Sequence, residues 1–131
     1  MNILFVCKSN VGRSQMAEAF FSRLSKHKSI SAGTNVFEKE GQPLHEFVVK
    51  CMAEEGYDLS KNKRKQITVE MTNKSDKIIV MAKLEELPSY LDLKKVILWN
   101  VDDAKDMSYE FHCRIRDQIK NLVTELVTEI G

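Results

Sequence analysis

Four short strand-like runs alternate with segments of helical periodicity along this chain. The runs cover residues 3–6, 29–32, 78–81 and 96–98, and each has the length of one buried strand. Runs without a polar face are typical of strands covered on both sides, and strands separated by helices form parallel sheets. The pattern therefore predicts an α/β fold of three layers, with a four-stranded parallel sheet and helices on both faces. We expect one domain over residues 1–131.

The segments between the runs have the spacing of amphipathic helices. One helix follows the first strand, and a second extends from Pro43, a favourable first helical residue, to the stop at Gly56. Shorter helices are predicted over residues 67–73 and 84–91, and one long helix begins at Asp106. The apolar faces of the first and last helices are formed by Ala17, Phe20, Phe21 and Leu24, and by Phe111, Ile115, Ile119, Leu122, Val123, Leu126 and Ile130.

The balance of charge excludes several classes of partner. The chain has 20 basic and 19 acidic side chains and a net charge of +1. Without an overall basic field, neither a nucleic acid nor an anionic membrane is expected as partner. No apolar stretch approaches the roughly 20 residues of a membrane helix, and no secretory leader pattern precedes the first strand. We therefore expect a soluble, cytoplasmic protein.

The cysteines favour neither a disulfide framework nor a metal site. Cys7, Cys51 and Cys113 are an odd number, are widely spaced and form no C-x-x-C pair. His112 adjoins Cys113, but neighbours on a helix point about 100° apart and do not share one ligand. No metal site is predicted from the cysteines.

The first strand leads into a C-x5-R-S sequence at the start of a helix, formed by Cys7, Lys8, Ser9, Asn10, Val11, Gly12, Arg13 and Ser14. A strand-to-helix loop can direct several backbone N–H groups at one anion, and the helix N-terminus adds its positive dipole end. Gly12 adopts a positive φ at little cost, and Asn10 tolerates it better than most residues. This loop is a candidate phosphate-binding site.

The side chains of the loop suit cysteine-based chemistry. The helix field favours the thiolate form of Cys7, which is its nucleophilic form. Ser14 can donate a hydrogen bond to that thiolate, and Arg13 can bind two phosphoryl oxygens. Lys8 adds positive potential and is expected to point outward. The alternative is that Cys7 is only a small apolar residue at the end of a buried strand, and the spacing alone leaves both interpretations open.

The loop resembles the phosphate loop of the low-molecular-weight protein-tyrosine phosphatases and of the arsenate reductases that share their fold. Asn10, Arg13 and Ser14 stand where the family pattern has them. The resemblance continues in order along the whole chain, over residues 31–34, 41–43, 56–60, 76–81, 99–103 and 115–119.

The resemblance implies a mechanism and site residues. Cys7 would attack phosphorus to form a cysteinyl-phosphate, and Arg13 with the loop amides would stabilise the phosphoryl charge. An aspartate would then protonate the leaving oxygen, and no metal or organic cofactor is implied. Asp103 is the candidate acid, although the family usually has Asp-Pro there and this chain has Asp103-Ala104. Asp102 is its rival, and both can also be plain loop carboxylates.

Some positions depart from the family pattern. Gly12 stands where many relatives have a second loop cysteine, and no cysteine lies between Cys51 and Cys113 to resolve an arsenate adduct.

Phe37 matches a position that often forms an aromatic wall of the cleft, but it can equally anchor its loop. The basic run at residues 61–65 is expected to be a solvated loop that can attract an acidic partner.

Three functions remain as hypotheses. The first is a phosphomonoester phosphatase, acting on a phosphorylated protein, notably phosphotyrosine, or on a small aryl phosphate. The second is an arsenate reductase that uses an external thiol. The third is a module that binds inorganic phosphate, arsenate or another oxyanion with little turnover.

Overall fold

The computed structural model describes residues 1–131 and has a parallel sheet of four strands at its centre. The strands are β1 (Asn2–Cys7), β2 (Lys28–Gly33), β3 (Lys77–Val80) and β4 (Val96–Leu98), and their order in the sheet is β2-β1-β3-β4. All three pairings are parallel. The predicted sheet is confirmed in strand number and direction.

Both faces of the sheet are covered, because successive side chains of a strand point to opposite sides. On β1, Ile3, Phe5 and Cys7 belong to the larger apolar cluster, which is packed by the helices. Leu4 and Val6 belong to a smaller cluster on the other face. The alternation explains why β1 is apolar at every position after Asn2, and it confirms the three layers.

Four helices accompany the sheet: α1 (Arg13–Leu24), α2 (Glu46–Glu54), α3 (Val69–Lys74) and α4 (Tyr109–Ile130). Helices α1, α2 and α4 contribute to the larger cluster, and α3 packs Met71 on the smaller one. Most of the predicted face of α4 is buried, whereas Leu24, the last residue of α1, is exposed.

Three helix predictions are wrong in their bounds, and one of them is the long last helix, which begins at Tyr109 after its cap Ser108 and not at Asp106. Helix α2 begins at Glu46 rather than Pro43, because Pro43 pairs with Lys63 in an antiparallel bridge that keeps the chain extended. His45 caps α2 instead, and its Nδ1 accepts the Phe47 N–H at 3.0 Å. Of the segment 84–91, only Leu84–Glu86 forms a helical turn, of the 3₁₀ type, since a proline within the segment prevents a continuous helix.

The strand order places the end of β1 at a switch point. From β1 the chain moves to one side of the sheet to form β2 and then crosses to the other side to form β3. In open α/β sheets, ligands bind where the strand order reverses, beyond the carboxyl ends of the strands. Cys7 is the last residue of β1 and lies at that position. No helix of the protein is long and apolar enough to cross a membrane.

Candidate active site

The loop from β1 to α1 turns on a left-handed residue that is fully buried. Asn10 has a φ of 51° and no exposed surface. Gly12 does not adopt the positive φ expected of it, because its φ is −144° as the cap residue before α1. Asn10 therefore makes the left-handed turn of the loop.

The Asn10 side chain uses all of its hydrogen-bonding capacity inside the protein. Its Oδ1 accepts from the Lys65 N–H and from Gln15 Nε2, both at 2.9 Å. Its Nδ2 donates to Ser14 Oγ at 2.8 Å and to Ser31 Oγ at 3.1 Å. Because a backbone N–H can only donate, the Lys65 contact fixes which end of the amide is the oxygen. Asn10 thus holds the loop in shape and orients the Ser14 hydroxyl.

Ser14 lies next to the sulfur of Cys7. The distance from Ser14 Oγ to Cys7 Sγ is 3.0 Å. Since Ser14 Oγ already accepts from Asn10, its own O–H is free to donate to the sulfur. The donated hydrogen bond and the positive dipole end at the first turn of α1 both stabilise negative charge at this place. Cys7 is 2% exposed, so these contacts replace water around the sulfur.

The backbone N–H groups around Cys7 are available to a ligand. None of the N–H groups of residues 8–14 donates a hydrogen bond to a protein acceptor. The loop carbonyls point elsewhere, since the oxygens of Cys7 and Lys8 accept from Thr34 N at 3.0 Å and from Asn35 N at 2.8 Å. A row of free N–H groups at the start of a helix is a binding site for an oxyanion.

Arg13 is held below the loop by two main-chain oxygens. Its Nη1 donates to the carbonyl of Met81 and, at 3.0 Å, to that of Val101. Its side chain is 11% exposed, and no protein acceptor lies on its Nε. The two carbonyls fix the plane of the guanidinium, while Nε and Nη2 remain able to bind an oxyanion.

Asp103 lies over the arginine. Its Oδ2 is 3.6 Å from Arg13 Nη2, and its Oδ1 accepts from the Lys105 N–H at 3.0 Å. The Asp103 side chain is 52% exposed. Asp103 lines the cavity that contains Cys7, whereas Asp102 lines only a second cavity on the other side of Arg13.

The cavity that contains Cys7 has a volume of about 450 Å³. Of the loop residues predicted for the site, Ser9, Val11, Gly12 and Arg13 line it with Cys7, whereas Lys8, Asn10 and Ser14 do not. The wall contains residues that the sequence did not single out as site residues: Lys39, His45, Phe47, Arg64, Lys105, Met107 and His112. No periodicity marks these positions, because they come from separate elements that meet only in the folded chain.

An aromatic and imidazole cluster forms one part of this wall. The rings of His45 and His112 stack at 5.4 Å between centroids, and Phe47 meets His112 edge-on at 5.3 Å. The Nδ1 of His112 lies 2.9 Å from the Ser108 carbonyl, which can only accept, so this nitrogen carries the proton.

Two predicted site residues lie away from the Cys7 cavity. Phe37, expected as a cleft wall, is outside its lining and is 59% exposed. Gln66 Oε1 accepts the N–H groups of Val36 and Phe37, at 2.7 and 2.8 Å, and these bonds set the turn that points Phe37 outward. Lys8 lines the second cavity, where its Nζ is 3.8 Å from Glu86 Oε2.

Gly33 at the end of β2 allows the loop to approach the sheet. A Cβ at this position would lie 2.7 Å from the Lys8 oxygen and 2.8 Å from the Asn10 nitrogen. Real Cβ atoms do not approach backbone atoms so closely, and the loop would have to move. The Ser-Ala-Gly-Thr segment at 31–34 was recognised as a family signature, and the structure supplies the steric reason for its glycine.

The other two cysteines are not part of this cavity. Cys51 is fully buried among the helices, and burial, with the neighbouring Cys113 thiol, raises its pKa to about 12. Cys113 is partly exposed on α4 and faces Glu54. No group of three or more His, Cys, Asp or Glu side chains could hold a metal ion.

The comparisons with known proteins identify the family of the chain. The chain matches the family model "Low molecular weight phosphotyrosine protein phosphatase" over residues 2–131. The chain therefore belongs to the low-molecular-weight phosphotyrosine phosphatase family, a family that includes both cysteine-dependent phosphatases and arsenate reductases.

Individual relatives carry both kinds of name. The chain is 31% identical to a Halobacterium salinarum protein named "Putative arsenate reductase", over 97% of this chain and 91% of that protein. It is 38% identical to the "Probable low molecular weight protein-tyrosine-phosphatase EpsP" of Ralstonia solanacearum, over 60% of this chain and 54% of that protein. The structure of Vibrio vulnificus Wzb in complex with benzylphosphonate has a TM-score of 0.90 at 22% identity, and the match covers 98% and 97% of the two chains. The predicted fold and the family resemblance are confirmed.

Proposed function

We propose that this protein hydrolyses phosphomonoesters, with aryl phosphates and phosphotyrosine in proteins as its substrates, through a cysteinyl-phosphate on Cys7. The observation that carries the proposal is the loop of free N–H groups around a sulfur that lies 3.0 Å from Ser14 Oγ. This arrangement binds a tetrahedral oxyanion and presents a nucleophile to its centre. The benzylphosphonate bound to the related Wzb protein supports an oxyanion at this place.

In the first step the Cys7 thiolate attacks phosphorus. The new S–P bond forms as the bond from phosphorus to the leaving oxygen breaks, and the leaving oxygen takes a proton from Asp103. The loop amides and Arg13 stabilise the charge on the three phosphoryl oxygens. A phenol has a pKa of about 10 and leaves poorly as an anion near neutral pH, so this proton matters.

In the second step water hydrolyses the cysteinyl-phosphate. Asp103, now a carboxylate, takes a proton from the water as its oxygen bonds to phosphorus. The S–P bond breaks, which releases inorganic phosphate and returns the Cys7 thiolate. Acid and base are the same residue in the two steps, as a double displacement requires.

The wall of the cavity favours an aromatic leaving group. The Phe47 ring and the stacked imidazoles of His45 and His112 line the space next to Cys7. Flat rings on one side of a cavity pack against a phenyl ring by stacking or edge-on contact. In this proposal the cluster of Phe47, His45 and His112 forms the aromatic wall beside the substrate, the role expected of Phe37.

Hydrolysis of para-nitrophenyl phosphate and of a phosphotyrosyl peptide, without added metal and with a mild reductant, tests the proposal. The wild type should release phosphate and Cys7→Ser should not, whereas Cys113→Ser, the matched control outside the cavity, should keep the wild-type rate. If the wild type has no activity but still binds phosphate, the proposal is overturned in favour of an oxyanion-binding module.

The acid is tested by substituting each aspartate separately. Asp103→Asn should lower kcat by about 10²- to 10⁴-fold, the usual contribution of general acid–base catalysis, and should leave the affinity for inorganic phosphate unchanged or higher. Asp102→Asn is the matched control, because Asp102 lies outside the Cys7 cavity. Loss of activity in Asp102→Asn with a normal rate in Asp103→Asn would reverse the assignment.

Arsenate reduction with an external thiol is the second candidate, favoured by the 31% identity to the Halobacterium salinarum protein. Neither Cys51 nor Cys113 lines the Cys7 cavity, so an arsenate adduct on Cys7 would need a thiol from outside. Release of arsenite that depends on added glutathione or a dithiol protein, and on Cys7, would favour this activity over hydrolysis.

A further inference from the structure

Three cationic side chains line the Cys7 cavity without a carboxylate partner. They are Lys39, Arg64 and Lys105, and none of them belongs to an ion pair of the protein. The carboxylates of the lining are Asp103, which pairs with Arg13, and Asp106. Outside the catalytic pair the wall therefore has three cations and one carboxylate, which is an excess of positive charge.

Arg64 is the one of the three cations whose side chain makes a hydrogen bond to the protein. Its Nε donates to the Pro43 carbonyl at 3.1 Å, and its main chain pairs with Gln42 and Gly41 through two bonds of 2.9 Å. The terminal nitrogens of its guanidinium have no protein acceptor. The side chain is thus positioned in advance, and its outer edge is free for a bidentate contact with a carboxylate or phosphate.

The residues on either side of Arg64 are attached to the phosphate loop and its helix. The Lys65 N–H donates to Asn10 Oδ1 at 2.9 Å, and the Lys63 carbonyl accepts from Gln15 Nε2 at 3.0 Å. The side chains of Asn10 and Gln15 are both buried. The position of Arg64 relative to Cys7 is therefore set by the same network that shapes the loop.

Lys105 and Lys39 lie on the two segments that border the cavity entrance. Lys105 is two residues after Asp103 and donates its N–H to that carboxylate, whereas Lys39 ends the 3₁₀ turn Phe37–Lys39. The proton donor must be on the side of the leaving group, so Lys105 is on that side as well. Lys105 thus lies along the leaving group, and Lys39 and Arg64 line the same cavity.

We propose that the preferred substrate has a second anionic group on its leaving-group side, a carboxylate or another phosphate, which Arg64 binds with the help of Lys39 and Lys105. The proposal rests on the phosphatase activity proposed above and narrows its substrate class. An ion pair at a partly exposed site changes affinity by about two- to fivefold and weakens with salt. The effect should be in KM, since the contact is the same in the ground state and the transition state.

Paired substrates test this. One pair is a phosphotyrosyl peptide with glutamates beside the phosphotyrosine and the same peptide with glutamines. The other is phenyl phosphate with and without a ring carboxylate, which distinguishes a small molecule from a peptide as the source of the anion. The wild type should prefer the acidic member of at least one pair by about two- to fivefold in kcat/KM at low salt. Arg64→Gln should bring the ratio close to one, and Arg64→Lys should retain part of it.

Lys61→Gln is the matched control. Lys61 is an exposed cation of the same segment that does not line the cavity, so its removal changes the net charge equally but should leave the ratio unchanged. If the wild type has the same kcat/KM for the two members of both pairs, the inference is overturned and the proposed phosphatase activity is unaffected. A ratio that Arg64→Gln does not change, or that Lys61→Gln lowers equally, overturns the assignment to Arg64.

The same preference can be measured as a binding affinity, without hydrolysis of the substrate. Binding of fluorescent forms of the two peptides to the Cys7→Ser protein, followed by fluorescence polarisation, should favour the acidic peptide by a similar factor. A wild type that hydrolyses nothing would overturn the proposed function alone, because the binding ratio still decides this inference. Equal affinities within both pairs, with the two phenyl phosphates measured as competitors of the labelled peptide, would overturn the inference about the second anionic group.

Discussion

Asn10→Ala should be among the most damaging substitutions in the chain, because one buried amide makes four hydrogen bonds. A net hydrogen bond contributes about 1 kcal/mol. Ser14, Ser31 and Gln15 each keep another partner, whereas the Lys65 N–H loses its acceptor. An alanine at a φ of 51° adds about 1 kcal/mol of strain. Because three of the four partners keep another contact, part of the summed loss of roughly 5 kcal/mol is recovered, and we expect the free energy of unfolding to fall by about 4 kcal/mol.

Urea unfolding followed by circular dichroism measures this loss. With a slope of about 2 kcal/mol per molar urea, the midpoint should fall by about 2 M. Asn62→Ala is the matched control, because Asn62 makes one side-chain hydrogen bond to the same network, to Gln15 Oε1 at 3.1 Å, and should lose only about 1 kcal/mol. If the two variants lose equal stability, Asn10 does not organise the loop.

Asn10→Asp separates stability from activity. A carboxylate keeps the two accepting contacts to Lys65 and Gln15 but cannot donate to Ser14. The Ser14 hydroxyl is then drawn to the carboxylate instead of to Cys7, and a negative charge lies near the sulfur. We expect a smaller loss of stability than in Asn10→Ala together with a large fall in kcat/KM. Stability and activity that fall in proportion would argue against the contact from Ser14 to Cys7.

Two further outcomes follow from the geometry. Gly33→Ala should displace the loop, because the added Cβ would lie 2.7 Å from the Lys8 oxygen. The free energy of unfolding should fall by about 1–3 kcal/mol, and kcat should fall by about 10²-fold. Normal kinetics would show that the loop accommodates the methyl group without moving the site. Iodoacetate at pH 8 should modify Cys7 and spare Cys51, whose pKa is raised by burial to about 12 and which therefore stays a thiol. Peptide mapping by mass spectrometry measures the modification of each cysteine. Phosphate should protect Cys7, and Cys51 should react only in urea. Equal rates for the two cysteines in the folded protein would contradict the assignment of Cys7 as the nucleophile.

The sequence by itself determined the class of fold and the chemistry at the base of the site. Runs of buried strand residues between amphipathic segments are a local pattern, and they predicted all four strands and the parallel sheet. Cys7, Arg13 and Ser14 are within eight residues of one another, so their grouping could be inferred from a strand end and a helix start. Only the family resemblance singled out Asp103, because nothing local distinguishes it from Asp102.

Tertiary structure alone decided what surrounds the phosphate loop. Lys39, Arg64 and His112 come from separate segments, and their meeting at one cavity depends on the packing of α2, α4 and the 61–66 segment around the loop. The left-handed turn belongs to Asn10 and not Gly12, since the buried partners of the Asn10 amide stabilise it there. Likewise Pro43 starts no helix, because its pairing with Lys63 holds the chain extended. At these places, contacts between residues distant in sequence determine the backbone conformation in place of local propensity, and no local pattern encodes such contacts.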